Sequence, residues 1–106
     1  MSKYLVQCNY SSDGVKGILK EGGSSRRAAV EKLFESVGAK IEAFYYAFGD
    51  TDLFVIVEGS DNVTAASLSL TVNAVGAVAA KVTVLLTPEE IDAATKISPL
   101  YRAPGQ

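Results

Sequence analysis

The chain contains no histidine, and that absence excludes more chemistry than any motif supplies. A Ser-His-Asp triad, a Cys-His pair and a histidine metal site all need an imidazole. Cys8 is the only cysteine, which rules out an intrachain disulfide and a thiolate metal cluster. A lone thiol fits a reducing compartment, so the expected location is the cytoplasm. No basic patch is interleaved with aromatics, and the net charge is −2. Neither nucleic acid nor an anionic membrane gains a general attraction from such a chain. No window approaches the ~20 apolar residues of a membrane span, and MSKYLVQCNY lacks the apolar core of a signal peptide. The sequons at Asn9 and Asn62 therefore read as chance matches. Chemistry is left to carboxylates, Lys, Arg, Tyr, Ser, Thr and backbone groups. No cofactor and no metal are expected.

What is present is apolar patterning: 48% of the 106 residues are hydrophobic, enough for one domain with a core. From Lys3 to Tyr10 the pattern alternates with a period of two, which predicts a strand. Ser11 to Gly14 breaks it, and Val15 to Lys20 reads as a short helical turn. Ser24 or Ser25 is the expected cap of a helix carrying Val30, Leu33, Phe34 and Val37, and Gly38 ends it. Alternation returns from Ala39 to Phe48, with Lys40, Glu42, Phe44, Tyr46 and Phe48 on one face. Ile41, Ala43, Tyr45 and Ala47 share the other. Gly49-Asp50-Thr51 suits a hairpin turn. The run Leu53 to Val57 predicts a central strand covered on both faces. Asp61, with Ser60 as its rival, caps a helix with Ala65, Leu68, Val72 and Val75 on one stripe, ended by Gly76. Ala79 to Leu86 is a fourth strand. Thr87-Pro88-Glu89-Glu90 starts a short terminal helix, and a tail containing Pro99 and Pro104 follows.

The order β-α-β-β-α-β is the ferredoxin-like split pattern, an α+β fold with a four-stranded antiparallel sheet. It assigns residues 1–86 to the domain and 87–106 to a C-terminal helix and extended tail. Two helices cover one face of such a sheet, yet the strands carry large apolar residues on both. A monomer would leave more apolar surface exposed than monomers tolerate. The pattern therefore predicts a homodimer with sheet packed on sheet, a dimeric α/β barrel. The terminal segment, anchored by Tyr101 and Arg102, is expected to cover an edge strand or clasp a neighbouring subunit.

These residues resemble the GYD-domain family, named for a Gly-x-Tyr-Asp signature in the hairpin before a strand that ends in Glu. Gly49-Asp50-Thr51-Asp52 matches its Gly and Asp, with Thr51 in the place of the tyrosine. Tyr10-Ser11-Ser12-Asp13-Gly14 is similar to the family's Tyr-Thr-x-x-Gly. Arg26 or Arg27, Gly38, Tyr45, Glu58 and Asp61 also match, with Gly59-Ser60 in place of Ala-Pro. The resemblance spans about residues 3 to 86. It implies the ferredoxin-like dimeric barrel and names no reaction. Barrels of this kind include cofactor-free oxygenases, isomerases, haem enzymes and proteins without known catalysis, so transfer by fold alone is analogy.

Several side chains are candidates for a site. Asp52 and Glu58 would lie roughly 20 Å apart along a strand, too far to act as one acid–base pair. Asp50 and Asp52 read most simply as turn residues binding nearby N–H groups. Glu58 ends a buried strand at the rim of the barrel, as a general base or as a paired strand-end charge. Tyr10, Tyr45 or Tyr46 could orient a ligand or simply pack. Gly22-Gly23-Ser24-Ser25-Arg26-Arg27 is either an anion cradle at a helix start or a linker with a solvated cap. Cys8 reads as a small core residue. The ligand-binding candidates are thus Tyr10, Tyr45, Asp52, Glu58 and Arg26, and the catalytic candidates Glu58, Tyr10 and Tyr45.

Three functions fit. The first is a homo-oligomeric module binding a small, mostly apolar molecule between sheet and helices. The second is a cofactor-independent monooxygenase or isomerase using Glu58 with Tyr10 or Tyr45. The third is a structural assembly whose barrel interior is filled by Phe44, Tyr46, Phe48 and Phe54.

Overall fold

A computed structural model describes residues 2–59 and 61–106. Strands β1 (Ser2–Tyr10), β2 (Lys40–Tyr46), β3 (Leu53–Gly59) and β4 (Val78–Leu85) form one four-stranded sheet. Its order is β2-β3-β1-β4, and every neighbouring pair is antiparallel. Helices are α1 (Ser12–Glu21), α2 (Gly23–Glu35), α3 (Asn62–Val75) and α4 (Pro88–Ala94). The fold is α+β with ferredoxin-like strand order, extended by α1 and α4.

The segment after β1 is more regular than its composition suggests. Ser11 does not merely break the strand: its Oγ accepts the Gly14 N–H at 3.1 Å and starts a helix of 10 residues. Gly14 is needed for packing, because a Cβ there would come within 2.4 Å of the Ala77 carbonyl oxygen. Neither Ser24 nor Ser25 caps α2; both lie inside it. Gly22, at φ +84°, serves both helices instead. Its N–H donates to Ile18 O at 2.7 Å to close α1, and its carbonyl accepts from Arg26 N at 3.2 Å to open α2. A glycine at positive φ makes that sharp turn at little steric cost, so no serine cap is required. Asp61 does cap α3, accepting from Thr64 N at 2.7 Å. Ser60, its rival, lies outside the described residues. Gly76 ends α3 in the left-handed conformation, and Thr87 and Glu90 form a reciprocal capping box on α4.

Register shows what each face of the sheet carries. Tyr4, Val6 and Cys8 pair with Val57, Val55 and Leu53, and all six are buried. This face lies under α2 and α3, where Phe34, Val30, Leu68 and Val72 pack on it. Strand β2 departs from strict alternation. A register shift between Ile41 and Ala43 places Ile41 opposite Val57 and Phe44 opposite Val55. A bulge adds one residue, so the alternation changes phase there. Ile41, Phe44 and Tyr46 consequently share the helix-covered face, and Ala43 and Tyr45 the other, instead of the sets that simple alternation predicts. Of the four aromatics assigned to a barrel interior, only Phe54 lies on the uncovered face. Phe48, beyond β2, is fully exposed.

The run Leu53–Val57 is covered on one side only within the chain. Leu53, Val55 and Val57 are at most 3% exposed, whereas Phe54 is 37% exposed. The uncovered face has an apolar band of Leu5, Phe54, Ile56 and Tyr45. At one end of this band Lys3 Nζ donates to Glu42 Oε1 at 2.8 Å.

Candidate functional site

A cavity of about 80 Å³ lies between the helix-covered face and α2 and α3. Its walls are apolar, built from Val55, Phe34, Leu33, Leu68 and Val82 among others. That volume is about half of the ~150 Å³ that admits benzene, so it encloses only a few heavy atoms. Tyr10 and Arg26 line this cavity and also line an outer cleft of about 250 Å³. Asp13, Glu21, Gly17 and Ile18 of α1 and Ala77 form much of the cleft. Tyr10 and Arg26 are therefore shared by an apolar interior and an outer cleft of mixed character, to which Asp13 and Glu21 add charge.

Strand geometry puts Tyr10 there. It is the last residue of β1 and pairs with Val78 on the helix-covered face. Its backbone is held by Asp52, whose Oδ2 accepts the Tyr10 N–H at 2.9 Å. The Asp52 N–H in turn donates to Cys8 O at 3.0 Å and Asn9 Oδ1 at 3.1 Å. Asp52 thus clasps the β2–β3 hairpin to the end of β1. Arg26 arrives from the first turn of α2, positioned by the Gly22 turn. Among the described residues it has no carboxylate within ion-pair distance. Arg27 turns away, paired with Glu31 at 2.9 Å and lying over the Phe44 ring at 5.8 Å.

Electrostatics at this junction favour protonated groups. Burial pushes the Tyr10 phenol up to about 12, helped by Tyr46 and Cys8 and opposed by Arg26. Burial likewise pushes the Cys8 thiol up to about 11, against the pull of Arg26. The Tyr46 phenol is also raised, first by burial, with Arg26 lowering it and Glu21 raising it. Tyr46 Oη donates to Gly23 O at 3.1 Å, tying β2 to the start of α2. At neutral pH Tyr10 offers an O–H and Arg26 offers N–H groups; Cys8 is a thiol, not a nucleophilic thiolate. Among the described residues no group of three or more His, Cys, Asp or Glu side chains could hold a metal ion.

The structure brings Tyr10 and Arg26 together and separates the other candidates from them. Glu58 pairs across strands with Lys3 and Lys40 on the uncovered face. Its neighbour Glu42 is held below the usual carboxylate range, chiefly by the hydrogen bond from Lys3. Tyr45 pairs with Phe54 on that same face. Glu58 and Tyr45 stand roughly 13 Å apart there, four strand positions at ~3.3 Å each. Neither reaches Tyr10 within one chain. Asp52 does not line the cavity; it positions Tyr10. Sequence reasoning missed Glu21 and Asp13 as members of the junction. Glu21 and Asp13 were hidden because α1 is a complete helix rather than a turn.

A protein-family model described as GYD domain matches residues 4–95. No curated protein and no solved structure gives a significant match.

Proposed function

The chain belongs to the GYD-domain family, and on that footing we propose that it is a small-molecule-binding module that works as a homodimer. The observation that carries this reading is the paired space around Tyr10 and Arg26: an apolar cavity inside, and outside it a cleft where Asp13 and Glu21 join apolar walls. Both residues present hydrogen-bond donors at that boundary. The ligand is therefore small and mostly apolar, with one acceptor oxygen, carbonyl or carboxylate, at its outer end. Apolar walls with a few placed polar groups are the usual composition of a small-molecule pocket. Dimerisation through the uncovered sheet face accounts for Phe54 and Tyr45, which an isolated chain leaves exposed, and for Leu5 and Ile56, which it leaves half-buried.

The test is a thermal-shift panel of small ketones and short-chain carboxylic acids. At least one should raise Tm in a concentration-dependent way, and Arg26→Gln, Tyr10→Phe and Ala65→Leu should each abolish the shift. The last of these fills the cavity from α3. A panel without any stabilising compound, or a shift that survives all three substitutions, would refute the reading.

A second reading, a cofactor-independent oxygenase or isomerase, is favoured by one observation: a phenol held protonated beside an arginine. Such a pair stabilises negative charge developing on a substrate oxygen. In this reading the base comes from the outer cleft, with Glu21 as the candidate in place of Glu58. Turnover that falls in Glu21→Gln and not in Glu58→Gln would support it.

A further inference from the structure

We infer that the C-terminal arm, residues 88–106, lies against a second copy of this chain and completes an interface begun by the uncovered sheet face. This rests on the face-to-face dimer proposed above. Every residue from Pro88 to Gln106 is exposed. The radius of gyration is 17.0 Å and the longest extent 57 Å. A compact domain of this length would have a radius of gyration of about 13 Å. The arm therefore projects away from the body that its own chain builds.

The arm is nevertheless ordered by its own hydrogen bonds. Thr87 and Glu90 cap α4, Lys96 and Ile97 donate to Ala93 and Ala94, and Gln106 donates to Ala103. An isolated helix of 7 residues is far below the ~12–15 needed for marginal stability in water. Packing against something must supply what the helix lacks. The arm also carries the side chains for such packing: Ile91, Ile97, Leu100 and Tyr101 are all exposed, Leu100 completely.

Area identifies the occupant as a second copy. Four strands ~4.8 Å apart and about seven residues long present roughly 450 Å² of sheet. Two such faces bury about 900 Å², short of the ~1,200–2,000 Å² of a stable interface. Tyr101 alone carries roughly 150–250 Å², and Leu100, Ile97 and Ile91 add to it. Two reciprocal arms bring the total into the stable range. Reach is sufficient as well. The arm leaves the edge strand β4 at Leu85, and the residues after α4 span up to ~40 Å when extended. Stacked sheets are only ~10 Å apart.

The experiment is sedimentation velocity across a concentration range on three proteins: the full chain, a chain ending at Thr95, and the full-length Tyr101→Asp variant. The full chain is expected to dimerise. Truncation and Tyr101→Asp should each raise Kd about tenfold or more, while Tm of the dilute monomer stays unchanged. A full chain that is monomeric throughout defeats the face-to-face dimer and the arm together. A dimer whose Kd ignores both changes defeats the arm alone. A truncation that lowers Tm of the monomer shows the arm folding back on its own body, which also overturns the inference.

Discussion

The two faces of the sheet are made by the same strands and have opposite fates. On one, Val55 is 1% exposed beneath α2 and α3; on the other, Phe54 next to it is 37% exposed. An antiparallel sheet commonly turns polar residues to water on its second face. This one turns Leu5, Phe54, Ile56 and Tyr45 outward and confines its ion pair, Lys3–Glu42, to one end. The difference separates two requirements. The covered face holds the buried core of the fold, and the proposed association would use the other. The Tyr10–Arg26 junction belongs to the covered face, so the proposed binding and the proposed association are expected to be separable by substitution.

The largest expected effect comes from breaking the covered face. Phe34→Ala removes a buried aromatic from α2 and should cost about 3–5 kcal/mol in urea unfolding, a typical loss for such a truncation. A cost within experimental error would show that the cavity side tolerates empty space. Next, Phe54→Lys should leave the monomer's circular dichroism intact and weaken association by about thirtyfold or more, as for loss of an interface hot spot. A variant that still dimerises like the parent would make the two faces equivalent after all. Asp52→Ala is intermediate. It leaves the Tyr10 N–H without its acceptor and should cost about 1–3 kcal/mol, the penalty for an unpaired backbone donor. Ligand affinity should fall with it, and an unchanged affinity would argue against a positioning role.

The smallest effect sharpens the comparison through pH. Cys8 and Tyr10 both sit on the covered face with raised pKa values. A raised pKa means that the folded state holds its proton more tightly than the unfolded chain. The stability this gives is complete below the unfolded values of 9.0 and 10.0 and is lost as pH rises through about 11 and 12. Urea midpoints should therefore decline above about pH 9, and less steeply in Tyr10→Phe. A midpoint that is flat to pH 11.5 would mean that both groups are open to water. Alkylation of Cys8 at pH 8 should likewise be slow unless the protein is unfolded.

Much of the fold was legible because its signals are local. Thr87-Pro88-Glu89-Glu90, Asp61, Gly38 and Gly76 are each read within one turn of the chain, and each marks a helix boundary in the structure. Less of the site was legible. Tyr10 and Arg26 were both candidates, yet nothing along the chain states that they meet. Glu58 and Tyr45 looked equally good and lie on the opposite face. The phase of β2 was misread because a bulge arises from the pairing of two strands, not from either strand alone. The helix α1 is longer than its composition suggests because Ser11 to Gly14, which read as a break, in fact start it. Gly14 is there so that the helix can pack against Ala77.

The sequence by itself determined the order of the strands and of the two helices that cover them, the caps of α3 and α4, the family and the surplus of apolar residues on both sides of the strands. These depend on side-chain period and on hydrogen bonds between near neighbours, which are properties of short segments. Only the tertiary structure decided which face each β2 residue occupies and which candidates share a site. It also decided that the arm stands clear of its own body. Those outcomes depend on strand register and helix packing between residues far apart in the chain, where a shift of one position moves a side chain to the other side of the sheet.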